Sequence, residues 1–318
     1  LNAQTAVRWY IGLDIGGTAI KAGLVSNHGH VALHRSKRND VSKALSTVKC
    51  VIMDLLKDAD TNRFPAVSGI GLASPGRVDS ERGVVLEAIN LKWRNVLLKQ
   101  EVEHDFRLPT VLLNDSNAAA LGELAHGSVM SDNFLCITLG TGIGAGIVLG
   151  GRMHEGARFK AGEIGHILYE PNGLKCVCGK AGCLETIASG SGIVRRYIQY
   201  SPDDETASCG KAVHEIELND IVQLARQGSV ASLRVLEEAA EALGSTVATI
   251  VQSLDLDTVV LSGGVAKMDW PFTERVEAAA HRYAPRSSQV VVRKSRLIDI
   301  AALLGVTALL ESTHFVKS

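Results

Sequence analysis

Apolar positions along the chain fall into short runs that stop abruptly at glycine. Residues 9–15, W-Y-I-G-L-D-I, meet G-G-T, and residues 20–25, I-K-A-G-L-V, resume the run, which predicts a β-hairpin. The turn S-N-H-G-H leads to V-A-L-H-R, after which Val41, Leu45, Val48, Ile52 and Leu55 recur at helical spacing. A strand at V-S-G-I-G-L-A then runs into S-P-G-R-V-D. The second half repeats this plan. F-L-C-I-T-L reaches G-T-G, I-G-A-G-I-V-L returns, G-G turns again, and R-M-H-E follows. Its helix carries Leu236, Ala240, Leu243, Val247, Ile250 and Leu254, and D-T-V-V-L-S runs into Gly263 and Gly264. Two βββαβ halves, each opening with a Gly-Thr hairpin, predict a duplicated α/β architecture of two lobes with a cleft between them. Residues 200–208 read as a polar loop within the second lobe rather than a linker.

Composition narrows the classes of function. With 318 residues, 46% of them hydrophobic, the chain can bury the cores of two ordinary domains. The formal net charge is −1 and the basic residues are dispersed, so no cationic stripe points to nucleic acid or an acidic membrane surface. The first residues lack the apolar core of a signal peptide, and no apolar run is long enough to span a bilayer. A cytoplasmic protein with reduced cysteines and a small-molecule partner is expected.

The thiols are unevenly placed. Cys176, Cys178 and Cys183 crowd into eight positions, with His166 ten residues upstream and Gly173, Gly179 and Gly182 between and beside them. Glycine lets a backbone bend tightly around an ion, and four N/S ligands suit tetrahedral zinc. The alternatives are thiols that pack as small hydrophobes, the reading taken for Cys50, Cys136 and Cys209, and a redox pair, although Cys-x-Cys is not the Cys-x-x-Cys of thioredoxin-like sites.

Two further stretches suggest phosphate contact. Asp14-Ile15-Gly16-Gly17-Thr18 and Gly140-Thr141-Gly142-Ile143-Gly144 place glycine where the backbone comes close to something, with a hydroxyl beside exposed amides that can cradle an anion. A single glycine turn is usually only a hairpin; two at matched positions of a duplicated fold say more. G-L-K-C-V-C-G-K-A lacks the spacing and the Ser/Thr of a Walker loop, and G-T-G-I-G-A-G runs into a strand rather than the helix of a dinucleotide fingerprint. In P-T-V-L-L-N-D-S-N-A-A-A-L-G-E a short strand ends at Asn114 and Asp115 and alanines begin a helix. An acid there is well placed as a general base, with Asn114 orienting the substrate; the competing reading makes Asp115 or Ser116 a helix N-cap only.

The motifs L-D-I-G-G-T, L-N-D-S-N-A-A-A-L-G-E, L-G-T-G-I-G-A-G and G-E-I-G-H, followed by the cysteine cluster, occur in an order and spacing that resembles the ROK family of sugar kinases and sugar-responsive repressors. The resemblance covers essentially the whole chain. It implies a two-lobed, duplicated ribonuclease H-like ATPase fold of the actin, hexokinase and Hsp70 type, with an inserted zinc-binding loop. The smaller lobe would comprise residues 1–118 with a C-terminal helix at 300–318, and the larger lobe residues 119–299. By similarity, Asp115 would take the proton from the sugar hydroxyl, while Asn114, Glu163, His166 and Glu185 would hold other hydroxyls and Gly76 and Arg77 would lie at the substrate edge. Asp14, Gly16, Gly17 and Thr18 would contact the phosphates of ATP and its magnesium, as Thr141, Gly142 and Gly144 would, with Gly263 and Gly264 near the adenosine. His166, Cys176, Cys178 and Cys183 would bind a structural zinc that positions the loop carrying Glu163 and Glu185. A homodimer is implied.

Two positions depart from the family pattern: Ala19 stands where lysine or asparagine is frequent, and Asp255-Leu256-Asp257 replaces an Asn-Pro. Among functions, a sugar-sensing repressor needs an N-terminal helix-turn-helix, and about eight residues precede the first predicted strand. A non-catalytic sugar-binding protein would not need Asp115 and both phosphate loops. A kinase is therefore expected; the resemblance implies glucose, phosphorylated at its 6-hydroxyl, because S-P-G-x-V-D is frequent in glucokinases of the family, with N-acetylmannosamine next because an arginine after S-P-G also occurs in kinases for that sugar.

Overall fold

The computed structural model describes residues 6–201, 212–285 and 290–316, without the side chains of 313–316. Most of the polar loop read at 200–208, and Cys209, lie outside these residues. Packing divides the chain into two units of nearly equal length: residues 1–129, 153–161 and 299–318, and residues 130–152 with 162–298.

The first unit is built on the predicted hairpin. β1 (Trp9–Ile15) pairs antiparallel with β2 (Ala19–Ser26), which pairs with β3 (Val31–Arg38). Helix α1 (Ala44–Thr61) follows, and Val48, Ile52 and Leu55 bury the stripe that its periodicity marks, each contributing about 1.5–3 kcal/mol of hydrophobic stabilisation. β4 (Val67–Ser74) then lies parallel to β1, and β8 (Thr110–Asn114) parallel to β4, giving the order β3-β2-β1-β4-β8. Between them a small antiparallel sheet runs through β5 (Arg77–Asp79), β6 (Val84–Ala88) and β7 (Trp93–Val96), followed by α2 (Leu98–Phe106). β8 feeds directly into α3 (Asp115–His126).

The second unit repeats the order as β11-β10-β9-β12-β13. β9 (Phe134–Leu139), β10 (Ile143–Leu149) and the short β11 (Arg152–His154) form the meander, and β12 (Thr258–Ser262) and β13 (Val291–Lys294) are the parallel additions. The helices are α4 (Glu185–Ala188), α5 (Gly190–Tyr200), α6 (Leu218–Arg226), α7 (Val230–Leu254), α8 (Gly264–Lys267) and α9 (Phe272–Tyr283). Leu236, Ala240, Leu243, Val247 and Ile250 of α7 are buried as their spacing requires. Asp255 caps α7 in the left-handed region at φ 54°, where a short polar side chain is tolerated, so the Asp-Leu-Asp departure still ends the helix.

The first unit runs to residue 129, on the far side of α3, where the expected smaller lobe ran to residue 118. α10 (Ala301–Val316) lies along α3 at a distance that only glycine permits: a β-carbon on Gly122 would stand 2.0 Å from the Ala301 carbonyl oxygen, and one on Gly305 would stand 1.8 Å from that of Ala118. α3 therefore packs with the first unit. Residues 153–161 also pack with the first unit, where Glu155 accepts a hydrogen bond from Ser80 Oγ at 2.6 Å. Among the described residues no helix is long and apolar enough to cross a membrane.

Candidate active site and metal centre

Strand register decides what gathers at the edge of the first sheet. Asp14 of β1 lies opposite Ala73 of β4, and Ser74 lies opposite Asn114 of β8, so Asp14, the S-P-G-R turn and Asn114-Asp115 leave the sheet at the carboxyl ends of three parallel strands. That edge is where ligands bind in open α/β sheets. Asn114 has extended backbone, φ −64° and ψ 146°, and its Oδ1 accepts from the Ser116 and Asn117 amides at 2.9 and 3.1 Å. The cap of α3 is thus Asn114, which corrects the alternative that Asp115 or Ser116 serves only as cap. Asn114 Nδ2 donates to the Gly76 carbonyl at 2.9 Å and ties the S-P-G-R turn to the helix start. Asp115, half-buried, opens the helix, and its Oδ1 accepts from the Ser116 amide at 2.8 Å.

The Gly16-Gly17-Thr18 turn closes through Gly16 N–H to the Ala19 carbonyl at 2.9 Å, a bond that the Ala19 departure leaves intact because it is made by backbone. Buried Asn39 pins the turn from behind, donating from Nδ2 to the Gly16 carbonyl and from its amide to the Thr18 carbonyl, both at 2.8 Å. Burial pushes the Asp14 carboxyl up from its ordinary value, against the pull of Lys21. A cation beside Asp14 would relieve that cost.

The second unit holds a group of its own. Ile164–His166 form a single 3₁₀ turn in which positions three apart eclipse, bringing Glu163 and His166 together with Glu163 Oε2 3.7 Å from His166 Nε2. The glycines of G-E-I-G-H press this turn onto β10. A β-carbon on Gly162 (φ +86°) would stand 1.8 Å from the Ala145 carbonyl oxygen, and one on Gly165 would stand 2.4 Å from that of Ile143. Gly162→Ala is expected to cost about 2–4 kcal/mol of stability, since both the conformation and the contact forbid a side chain. A denaturant midpoint equal to that of the parent would mean that the turn can leave β10.

The opposite nitrogen of His166 faces the thiols. His166 Nδ1 is 3.5 Å from Cys176 Sγ and 3.6 Å from Glu185 Oε1, and Cys178 Sγ is 3.6 Å from Cys183 Sγ. One ligand atom from each of His166, Cys176, Cys178 and Cys183 lies within 4.8 Å of the others. Ligand atoms around tetrahedral zinc stand about 3.5–3.8 Å apart, given Zn–S of about 2.3 Å and Zn–N of about 2.0–2.1 Å, so the donor set fits that ion. The loop folds back through Cys176 N–H to the Lys180 carbonyl at 2.8 Å and Gly182 N–H to that of Leu174 at 2.9 Å. Burial pushes the Cys176 thiol well up, as does its hydrogen bond to Glu185 Oε1 at 2.8 Å, and burial raises Cys183 too, whereas the Lys180 amide lowers exposed Cys178. Cys136 is buried as expected of a packing thiol; Cys50 is only half-buried and accepts from Lys37 Nζ at 3.0 Å.

Glu185 joins this centre to the second glycine loop: its Oε2 stands 3.0 Å from where a β-carbon of Gly142 would be. That loop is braced by residues that sequence reasoning passed over. Gly190 N–H donates to the Gly140 carbonyl at 2.8 Å and Ser191 Oγ to that of Thr141 at 2.6 Å, while Ser189 caps α5 through the Gly192 amide. The small polar run S-G-S-G before an apolar helix is the available signal for such a cap; Asn39 carries none. Thr138 of β9 lies opposite Ser262 of β12, so Gly263 and Gly264 leave the second sheet at the same edge as the Gly140–Gly144 turn.

The ROK family profile matches residues 10–313, and the chain belongs to that family. A glucokinase of Halalkalibacterium halodurans is 34% identical over 82% of this chain and 81% of its own. A putative xylose repressor of a Caldicellulosiruptor species is 32% identical over 98% of this chain and 80% of its own. The crystal structure of a ROK family glucokinase from Streptomyces griseus in complex with glucose and AMPPNP superposes with a TM-score of 0.83 at 31% identity, covering 95% of this chain and 98% of that one.

Proposed function

We propose that the protein is an ATP-dependent sugar kinase that transfers the γ-phosphoryl group to the 6-hydroxyl of glucose. Similarity to both a kinase and a repressor leaves catalysis to be argued from the site. The observation that carries the reading is Asp115: Asn114 caps the helix, so the acid at the strand end is not needed for that purpose. In this reading Asp115 accepts the proton of the attacking hydroxyl, a poor nucleophile that the phosphates of ATP repel. Glu163 and Glu185 accept from the other hydroxyls and His166, its Nδ1 toward the metal, donates from Nε2 to a sugar oxygen, with Asn114 and the Gly76-Arg77 turn at the substrate edge. The amides of Gly16, Gly17, Thr18, Thr141, Gly142 and Gly144 hold the phosphates, and Gly263 and Gly264 border the adenosine. Magnesium, held by Asp14 and Thr18, would offset phosphate charge. Zinc on His166, Cys176, Cys178 and Cys183 would shape the hydroxyl-reading turn and take no part in transfer.

A site built on paired carboxylate acceptors discriminates strongly against sugars that cannot supply the matching hydroxyl. The test is kcat/KM across glucose, mannose, fructose, allose, N-acetylglucosamine and N-acetylmannosamine, with the product identified. Glucose 6-phosphate as the best product is expected. A tenfold preference for an N-acetylated sugar would move the assignment to N-acetylmannosamine, the reading that Arg77 favours, and no sugar-dependent ATP turnover would remove the kinase.

A further inference from the structure

We propose that Arg196 is a positioning residue that locks the cysteine loop onto α5 and thereby sets the turn that reads the sugar; the inference rests on the zinc-loop and kinase reading above. α5 is held at its start and near its middle by parts of the site. At its start the backbone of Gly190 and the hydroxyl of Ser191 hold the Gly140-Thr141 loop, and Ser189 Oγ donates to the Glu185 carbonyl at 2.6 Å. Farther along, about 7–8 Å at the helical rise of 1.5 Å per residue, Arg195 Nη2 donates to the Lys175 carbonyl at 3.1 Å and Arg196 Nη1 to Glu170 Oε2 at 2.7 Å. Lys175 immediately precedes Cys176. Glu170 sits at the root of the loop, its carbonyl accepting from Gly173 N–H and its own amide donating to the Gly182 carbonyl. One rigid helix thus registers the cysteine loop against the phosphate loop.

Arg196 is the part of this arrangement that cannot be exchanged for a neighbour. Its side chain is 8% exposed, so its charge requires partners, and it has Glu170, Glu238 of α7 at 3.1 Å and Tyr200 Oη at 2.7 Å. A planar fork serves three acceptors at fixed angles, which an ammonium does not. Glu238 is also bonded to Arg234, whose guanidinium lies 4.1 Å above the Tyr200 ring, so the acceptors are themselves held. Buried ion pairs contribute little net stability, and setting register is their better-attested use.

Arg196→Met retains the side-chain volume and removes the fork. It is expected to lose zinc to a competing chelator about 10–100-fold more readily than the parent and to raise the KM for sugar by a similar factor, while kcat and the KM for ATP stay within about threefold. Arg196→Lys should recover part of both losses, and Glu170→Gln, on a half-exposed side chain, should reproduce the direction if Arg196→Met does not fold. Unchanged zinc retention and unchanged sugar KM in the folded variants would overturn the proposal. Chelator competition reads the inference even if no sugar is phosphorylated, so failure of the kinase reading and failure of this one are separable.

Discussion

Asp115→Asn is expected to fold, to keep its sugar affinity and to lose phosphoryl transfer by about 10²–10⁴-fold, the usual worth of a positioned general base. Stability should change by less than about 1 kcal/mol, because the cap of α3 is Asn114 and only the favourable placement of a negative charge in the first helical turn is given up. Asparagine keeps the oxygen that accepts from the Ser116 amide, so the local geometry is retained while the basic group is removed. The check is paired: sugar binding by calorimetry and kcat by a coupled assay. A folded, sugar-binding variant with near-normal turnover would take Asp115 out of the base role and leave the alignment of the two substrates as the main source of rate.

What was legible in the sequence was whatever repeats over short distances. The apolar runs around G-G-T and G-T-G gave both hairpins, and the period of Val48, Ile52 and Leu55 gave α1, because pleat and helix impose their spacing on neighbouring residues. The cysteine cluster was legible because its ligands are close in the chain and one loop brings them together. The close packing of α10 on α3 was not. It depends on Gly122 and Gly305, 183 positions apart, and neither glycine in isolation announces that another helix approaches it. Asn39 and Arg196 were missed for the same reason: each acts on a loop more than twenty positions away, and a lone asparagine or arginine reads as surface. The competing reading that made Asp115 or Ser116 the cap of α3 passed over Asn114 because N-D-S-N offers four good capping side chains in a row. Only the backbone conformation chooses among them.

The second large effect concerns the metal centre. The protein is expected to carry about one zinc per chain, and Cys178→Ser to lose most of it together with about 10–100-fold in sugar affinity. Cys178 is the ligand to change because it is exposed, so serine there leaves the packing around buried Cys176 and Cys183 in place. The link to sugar runs through two residues, His166 and Glu185. His166 faces Cys176 with Nδ1 and Glu163 with Nε2, so a metal that fixes the ring fixes the approach to Glu163. Cys176 as a thiol donates to Glu185 Oε1 and occupies it, whereas a zinc-bound thiolate has no proton to give and leaves that oxygen for a sugar hydroxyl. Because burial raises Cys176 and Cys183, zinc uptake must displace their protons, and apparent zinc affinity should therefore fall as pH is lowered. Elemental analysis of the purified protein and sugar titrations before and after chelation at two pH values read both effects. Protein without zinc that binds sugar as tightly as the zinc-loaded form would return the three thiols to ordinary packing, and the order of the G-E-I-G-H turn would then rest on its glycine contacts with β10 alone.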